Sequence, residues 1–469
     1  MEFVTDLRAV LGDGGMLISA ADRAAYERDW RGLVNNPALA VLLPKNTQQV
    51  SEIVKLCARY GAAIVPQGGN TGLVAGAVPV AGRRQVVLSL ARMKAVRGID
   101  LATDAITVDA GLTLKELQDQ AFESGRLFPV SLGAEGSAQV GGVISTNAGG
   151  MQVLSYGSMR AQVLGLEVVL ADGRIWQGLN ALRKDNTGYD LKQLFIGGEG
   201  TLGVITAATL KLSPAIKARG SALVGVGSVA AAVALFQAAR DALGTALTLC
   251  EFMDAPAALL GAAHSPRRRL PFAAPGYVLL EASSLDEGRL PNDLLQHVLE
   301  TALEKGLALD AVIAQSGRER DELIALREAI SAGELAEGGA VKHDITVPVG
   351  RVAEMVTATN KLIIKNYPGC RPNVFGHLGD GNLHINIRPP EGRRVADLAP
   401  VKEAISRAIE GLAVSMAGSF SAEHGIGQLR LAGMLTHKSA VELDMMRAIK
   451  SALDPAGLFN PGKTIPGVS

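Results

Sequence analysis

The chain has 469 residues, 48% of them hydrophobic, with 46 basic and 46 acidic side chains. This length exceeds what one hydrophobic core normally supports, so we expect at least two domains. The net charge is zero, so the chain lacks the basic excess that neutralises phosphates. This argues against nucleic acid or an anionic membrane surface as a partner. Small molecules or other proteins are the expected partners.

The cysteines and the N-terminal residues bear on the compartment. Cys57, Cys250 and Cys370 are odd in number and widely spaced, which excludes a disulfide framework and a cysteine-based metal site. The first residues lack the basic and apolar pattern of a signal peptide. We therefore expect a mature cytoplasmic protein. The charge-free stretch from Ser221 to Ala239 is interrupted by glycines, which favours a strand, a serine N-cap and a helix over a membrane span.

The predicted elements follow two patterns along the chain. The first part is α+β, with helices at 47–60 and 114–124 and strands at 85–90, 106–110, 163–170 and 203–212. Beyond about Pro214, strands at 222–226, 246–253, 277–282, 311–315, 341–347, 373–375 and 382–388 mix with helices at 229–242, 293–305, 318–334, 352–366, 397–417 and 440–453. This second pattern suggests an antiparallel sheet covered by helices on one face. The expected domains are residues 1–214, residues 215–420 and a C-terminal segment, residues 421–469.

Glycine is concentrated in the first part of the chain. Of the 54 glycines, 24 lie between Gly61 and Gly203. They form three clusters, at residues 66–73, 129–150 and 188–206. Closely spaced glycines let successive backbone N–H groups face one anion, as in pyrophosphate-binding loops. An ordinary glycine turn explains the first cluster equally well.

The third cluster contains a dinucleotide-type pattern, GxGxxG, at Gly198, Gly200 and Gly203. In a nicotinamide-binding fold this motif opens a helix, and an acidic residue follows about 20 positions later. Here the residues after Gly203 predict a strand, and no acidic residue occurs from Gly200 to Arg240. The pattern therefore does not predict a nicotinamide site.

Two polar segments stand out in the second half. In 382–388, polar Asn382, His384, Asn386 and Arg388 alternate with apolar residues, so they should share one face of a strand. With His377 before the turn and Glu423 further on, they offer two histidines and one carboxylate, a set that binds Zn²⁺ or a similar cation. A polar strand whose histidines are only hydrogen-bonded is the alternative.

The three glycine clusters, in this order, resemble the FAD-binding domain of the vanillyl-alcohol oxidase and p-cresol methylhydroxylase superfamily of flavoproteins. The resemblance implies that the first cluster holds the FAD pyrophosphate, the second flanks the isoalloxazine ring and the third completes the adenine and ribose side. It also implies non-covalent FAD, because Asn70 occupies the loop and the first histidine is His264. The positions for cofactor contact are Gln67, Gly68, Gly69, Asn70, Thr71, Gly72, Pro129, Gly133, Gly141, Gly142, Asn147, Gly149, Gly150, Glu199, Gly203, Ile205 and Asn460.

The polar segments, together with residues 326–328, 341–344 and 454–463, resemble the D-2-hydroxyacid dehydrogenase branch of that superfamily, and within it most closely the D-2-hydroxyglutarate dehydrogenases. The resemblance implies a metal held by His377, His384 and Glu423, and His424 as the catalytic base. It places Arg327, Ser331, Lys342 and Asn386, with His377 and His384, at the substrate. Family members commonly have Thr where this chain has Ser331.

The resulting expectation is a dehydrogenase dependent on FAD and a metal. It would oxidise D-2-hydroxyglutarate, with D-malate and D-lactate as lesser substrates, and pass electrons to electron-transferring flavoprotein. A homodimer is compatible with this expectation. The alternatives are a D-lactate or glycolate dehydrogenase, a flavin-dependent transferase without net redox change, and a zinc-binding or regulatory protein without turnover.

Overall fold

The computed structural model describes residues 2–288 and 290–467. The chain divides into two compact units. The first comprises residues 2–150, 156–215 and 423–467, and the second comprises residues 151–155 and 216–422. The C-terminal segment thus belongs to the same unit as the glycine clusters.

The first unit contains three sheets. A four-stranded sheet has the order Met16–Leu17, Val41–Leu42, Gln85–Ser89, Ala63–Gln67, and its last three strands are parallel. A five-stranded antiparallel sheet has the order Val96–Asp100, Ala105–Asp109, Val204–Lys211, Val163–Val169, Ile175–Gly178. Ser213–Pro214 pairs with Arg126–Leu127. The strand after Gly203 agrees with the sequence prediction and confirms that the dinucleotide-type pattern does not open a helix.

The described part of the first unit also contains helices. They are Glu2–Leu11, Ala20–Glu27, Thr47–Tyr60, Leu114–Glu123, Val140–Ser145, Met159–Gln162, Lys192–Phe195, Leu431–His437 and Ala440–Leu453. Helix Thr47–Tyr60 has the predicted bounds because both ends carry capping signals. The Asn46 side chain accepts a hydrogen bond from the backbone N–H of Gln49, and Gly61 ends the helix in the left-handed conformation, with φ of 61°.

The second unit is built on one seven-stranded antiparallel sheet. Its order is Asp310–Ile313, Ala218–Val226, Gly276–Ser284, Leu247–Asp254, Arg371–His377, Asn382–Arg388, Val341–Thr346. The helices are Val229–Leu243, Ala255–His264, Pro291–Glu304, Gly317–Glu328, Ile330–Ala336, Val352–Asn366 and Lys402–Ser415, with 3₁₀ turns at Gly244–Ala246, Val349–Arg351 and Val395–Leu398. One further helix, Val153–Tyr156, lies where the chain passes between the units.

Two details of the second unit differ from the sequence prediction. Helices cover both faces of the sheet rather than one: a large core lies on one face, and a smaller core, with Met253, Phe375 and Leu326, lies on the other. The helix predicted at 318–334 is two helices, which meet at Ala329. The charge-free stretch is confirmed as a strand, the N-cap Ser228 and a helix. Among the described residues, no helix is long and apolar enough to cross a bilayer.

Candidate functional site

The glycine clusters of the first unit line one cavity. Its empty volume is about 1010 Å³, part of it open to solvent. From the predicted cofactor residues the lining includes Gln67, Gly68, Gly69, Asn70, Thr71, Gly72, Gly141, Gly142, Glu199, Gly203 and Ile205, and it also includes His424. The cavity therefore brings all three clusters and the predicted base together.

The glycines of this cavity serve two purposes. A Cβ on Gly142 would meet only the Cα of Gly68, at 3.9 Å, and a Cβ on Gly72 would meet nothing within 4 Å. These side chains would project into the cavity. A Cβ on Gly69 would instead lie 1.9 Å from the carbonyl oxygen of Ser137, so this glycine permits close backbone packing. Bare backbone on the cavity side fits a flat, extended cofactor such as FAD.

Gln139 also lines the cavity and was not predicted from the sequence. The residue is 7% exposed, and its Oε1 has no hydrogen-bond partner in the described part of the chain. A buried amide oxygen normally has a partner. A donor group on a bound cofactor would supply one, and this supports the fit of FAD to the cavity.

Six predicted cofactor residues are outside the cavity lining: Pro129, Gly133, Asn147, Gly149, Gly150 and Asn460. Two of them instead hold backbone. The Asn147 side chain accepts hydrogen bonds from Ser158 and from the N–H of Arg160. The Asn460 amide donates to the carbonyl oxygens of Gly76 (3.0 Å) and Glu199 (2.7 Å). Both have positive φ, which asparagine tolerates better than most residues.

The loop that carries Glu423 and His424 is tied to the glycine clusters within the first unit. The backbone N–H of Gly150 donates to Oε1 of Glu423 at 2.9 Å. The carboxylate of Glu199 accepts the N–H groups of Ile426 and Gly427, each at 2.8 Å. Burial nevertheless raises the pKa of Glu199. Burial of Lys463, whose charge interacts with that of Glu199, lowers the pKa of its ammonium to about 7. Glu199 therefore binds the backbone of the loop that follows His424, and it also lines the cavity.

In the second unit, the predicted polar residues lie on one face of the sheet. The strand register places Glu251 beside His377, and Lys342 beside Asn386. His384 lies between Asp344 and Phe375 on neighbouring strands. The His377 and His384 rings have centroids 5.8 Å apart, although the residues are seven apart in sequence. The turn between the strands thus brings the two histidines together, as predicted.

A buried carboxylate, Glu251, holds two of the predicted residues. Its Oε2 is 2.6 Å from Nε of Arg327, and its Oε1 is 2.5 Å from Nδ1 of His377. Burial alone would raise the pKa of Glu251, but His377 and Arg327 lower it to about 2. Glu251 is therefore ionised at neutral pH. The guanidinium of Arg327 also stacks over the Phe375 ring, 4.6 Å from its centroid.

A second buried carboxylate, Glu334, holds two more. Its Oε2 is 3.1 Å from Nζ of Lys342, and the Asn386 amide donates to its oxygens at 2.7 and 3.0 Å. Asn373 donates to it as well. Lys342 retains an exposed side-chain fraction of 35%, so its ammonium can reach a ligand. The predicted Ser331 lies in the same helix as Glu334 and is exposed.

Sequence reasoning missed both glutamates. Glu251 is the only charged residue from Leu247 to Met253 in the strand LTLCEFMD, and Glu334 was counted only as the end of a predicted helix. The role of Glu251 could have been suspected from the sequence, because an acidic residue inside an apolar strand requires a partner. The role of Glu334 could not have been suspected, since Glu334 becomes buried only through tertiary packing.

Comparisons with known proteins agree with this architecture. Residues 216–464 match the family "FAD linked oxidases, C-terminal domain", and residues 38–178 match "FAD binding domain". The structure of p-cresol methylhydroxylase with bound substrate superposes with a TM-score of 0.77 at 16% identity, covering 99% of this chain and 96% of that chain. The predicted fold class is therefore confirmed.

Three curated relatives illustrate the similarity in sequence. A Rattus norvegicus protein named D-2-hydroxyglutarate dehydrogenase is 39% identical, over 93% of this chain and 80% of the relative. An Oryza sativa protein with the same enzyme name is 37% identical, over 99% and 81%. A Schizosaccharomyces pombe protein named as a D-lactate dehydrogenase is 37% identical, over 98% and 89%.

These relatives also correct one prediction. All three are named as mitochondrial proteins, so the expectation of a cytoplasmic protein, drawn from cysteine usage and the N-terminal residues, is wrong. Few cysteines indicate a reducing environment but do not distinguish one reducing compartment from another. The relatives and the FAD-binding domain make the chain an FAD-dependent hydroxyacid oxidoreductase. It belongs to the FAD-linked oxidases, as a D-2-hydroxyglutarate dehydrogenase-like member of the vanillyl-alcohol oxidase and p-cresol methylhydroxylase superfamily.

Proposed function

We propose that the chain oxidises D-2-hydroxyglutarate to the 2-oxo acid, with D-malate and D-lactate as lesser substrates. The observation that carries the proposal is the pair of cations held over one sheet face. Arg327 is anchored by Glu251, and Lys342 is anchored by Glu334. A dicarboxylate presents two negative groups, and two fixed cations match them. The names of the rat and rice relatives support the same substrate.

Each cation has a distinct way of binding. The guanidinium of Arg327 uses Nε for Glu251, so Nη1 and Nη2 can donate as a pair to a substrate carboxylate. Lys342 acts as a point charge for the second carboxylate, and the Asn386 amide lies beside it on the next strand. Ser331 adds a hydroxyl donor. A monocarboxylate would use only one of the two cations.

The proton and hydride leave the substrate by different routes. His424, which lines the cavity of the first unit, is the proposed base that takes the hydroxyl proton through a neutral imidazole. The glycine-lined cavity would hold FAD non-covalently, and the bound flavin would supply the hydride acceptor at N5. A divalent cation held by His377, His384 and Glu423, with Zn²⁺ as the first candidate, would lower the pKa of the substrate hydroxyl.

Electrons are proposed to leave to electron-transferring flavoprotein, and a homodimer is the proposed assembly. The second candidate function is a D-lactate or glycolate dehydrogenase, favoured by the name of the fission yeast relative. Steady-state turnover with an artificial electron acceptor tests the choice. We expect kcat/KM for D-2-hydroxyglutarate to exceed that for D-lactate and for glycolate, and the reverse order would support the second candidate.

The proposed metal is tested by its removal. EDTA treatment followed by dialysis should abolish turnover, and Zn²⁺ or another divalent cation should restore it. Turnover that survives removal of the metal, verified by elemental analysis, would exclude the metal from the reaction.

A further inference from the structure

Glu251 lies at a position where burial of a charge is unfavourable. Its residue is fully buried, in a strand whose other residues from Leu247 to Met253 are uncharged. A carboxylate in such surroundings is strongly destabilising unless it is paired and hydrogen-bonded. Both of its oxygens are used, and each contacts a different residue proposed for the reaction.

The first contact fixes His377. The two residues are direct neighbours across adjacent strands, so the short bond between them requires no distortion of the sheet. Oε1 of Glu251 lies 2.5 Å from Nδ1 of His377, and in this bond Nδ1–H is the donor and the carboxylate oxygen the acceptor. Nε2 then has the lone pair that a metal ligand needs. The carboxylate sets both the ring orientation and the tautomer.

The second contact fixes Arg327. Nε donates to Glu251 at 2.6 Å, and the guanidinium lies over the Phe375 ring. Glu251 thus holds the Nε edge of the guanidinium, and Phe375 contacts one of its faces. The side chain is 10% exposed, which leaves its orientation to these contacts rather than to solvent.

We infer that Glu251 is a positioning residue that couples the metal ligand His377 to the carboxylate-binding Arg327 through its two oxygens. The inference rests on the proposed function for the roles of those two residues. Glutamine at this position removes the negative charge that both partners contact, so both contacts should weaken. In addition, the NH₂ group of its amide is a donor and would face a donor of either His377 or Arg327.

The same sheet supplies a matched control. Glu281, on the neighbouring strand, is also 1% exposed on its side chain and also pairs with arginines, Arg219 and Arg320. Arg320 lies on the same helix as Arg327. Glu281 contacts none of the residues proposed for substrate or metal. Loss of its charge therefore tests the cost of disturbing a buried ion pair in this sheet without touching the site.

The experiment compares Glu251→Gln and Glu281→Gln as FAD-loaded proteins. Zn²⁺ affinity is measured by competition with a chromogenic chelator, and kcat and KM for D-2-hydroxyglutarate are measured separately. We expect Glu251→Gln to weaken Zn²⁺ binding about 10- to 100-fold, as for other partners of metal-bound histidines, and also to raise KM. Glu281→Gln should lower only thermal stability. If a glutamine variant does not fold, Glu251→Asp and Glu281→Asp replace the pair, because aspartate keeps the charge but is too short to reach both partners.

Equal Zn²⁺ affinity and KM in the two variants would overturn the inference, and so would a wild-type protein that binds no Zn²⁺. Failure of the proposed function has a different signature. In that case the wild-type flavin is not reduced by D-2-hydroxyglutarate, while the Zn²⁺ affinities of the variants still decide the role of Glu251.

Discussion

Nζ of Lys342 lies 3.1 Å from a carboxylate oxygen of the fully buried Glu334. The lysine is therefore held by a buried carboxylate, and its side chain remains partly exposed on the polar face of the sheet. Because its partner cannot move into solvent, the position of this positive charge is fixed before substrate binds. This arrangement suits recognition of a second carboxylate.

The first prediction concerns substrate choice. Lys342→Ala removes one charge-assisted hydrogen bond to a dicarboxylate, which is worth about 1.5–3 kcal/mol. We expect kcat/KM for D-2-hydroxyglutarate to fall about 10- to 100-fold, and that for D-lactate to change much less. Lys217→Ala is the control, because Lys217 forms an ion pair of the same length with exposed Glu287. An equal loss for both substrates would show that Lys342 only stabilises the fold.

The second prediction concerns the cofactor cavity. Gly142→Leu places a side chain where a Cβ meets almost nothing, inside the volume assigned to FAD. The variant should fold and lose most of its bound flavin, measured as the ratio of flavin to protein absorbance. Gly98→Ala, on an exposed strand position with open space around its Cβ, should keep the flavin. Full flavin content in Gly142→Leu would place the cofactor elsewhere.

A related measurement concerns how the flavin is held. Denaturation of the wild-type protein with acid should release all flavin into the supernatant, because the proposed binding is non-covalent. Flavin that remains on the precipitated polypeptide would show that it is attached covalently.

The third prediction concerns the base. His424→Ala should lower kcat about 10²- to 10⁴-fold, the usual contribution of a general base, while flavin content stays unchanged. His297→Ala, at an exposed helix position, should keep wild-type kcat. The two kcat values, measured with an artificial acceptor at saturating substrate, decide the point. A His424→Ala variant with most of its activity would require another base.

The fourth prediction concerns pH. Burial raises the pKa of Asp254 to about 7, and the nearby Glu334 adds to the rise. The native state therefore holds a proton that the unfolded state releases near pH 4. The stabilisation is complete below that pH and is lost as the pH rises toward 7, by about 1.4 kcal/mol per pH unit.

Asp254→Asn tests this dependence. The variant also loses an acceptor for the N–H of Val374, which lowers stability by a constant amount. The unfolding free energy of the wild type minus that of the variant should therefore decrease from pH 5 to pH 7.5. Parallel curves for the two proteins would assign the pH dependence to other groups.

Local patterns predicted much of the fold. Strand Asn382–Arg388 and helix Val352–Asn366 have the bounds expected from period-two and helical patterns. Helix Ala255–His264 was not predicted, although Asp254 and the proline after it form a start signal. The helix is rich in alanine and leucine on all sides, and so it shows no amphipathic period.

The site was predictable where chemistry is visible in residue type. The histidines and cations of the second half could be recognised, and so could the glycine clusters. The residues that orient them could not, because the burial of Glu251 and Glu334 results from contacts between strands and helices distant in sequence. Likewise, Asn147 and Asn460 resemble cofactor contacts in sequence but bind backbone in the folded chain.

Anaerobic reduction of the bound flavin tests directly whether the protein oxidises D-2-hydroxy acids. D-2-hydroxyglutarate, mixed with the FAD-loaded protein without any acceptor, should bleach the flavin absorbance in the visible range and yield one 2-oxo acid per flavin. L-2-hydroxyglutarate should leave the absorbance unchanged. A flavin that stays oxidised with the D-acid and with D-lactate would contradict the assignment as a D-2-hydroxyacid dehydrogenase.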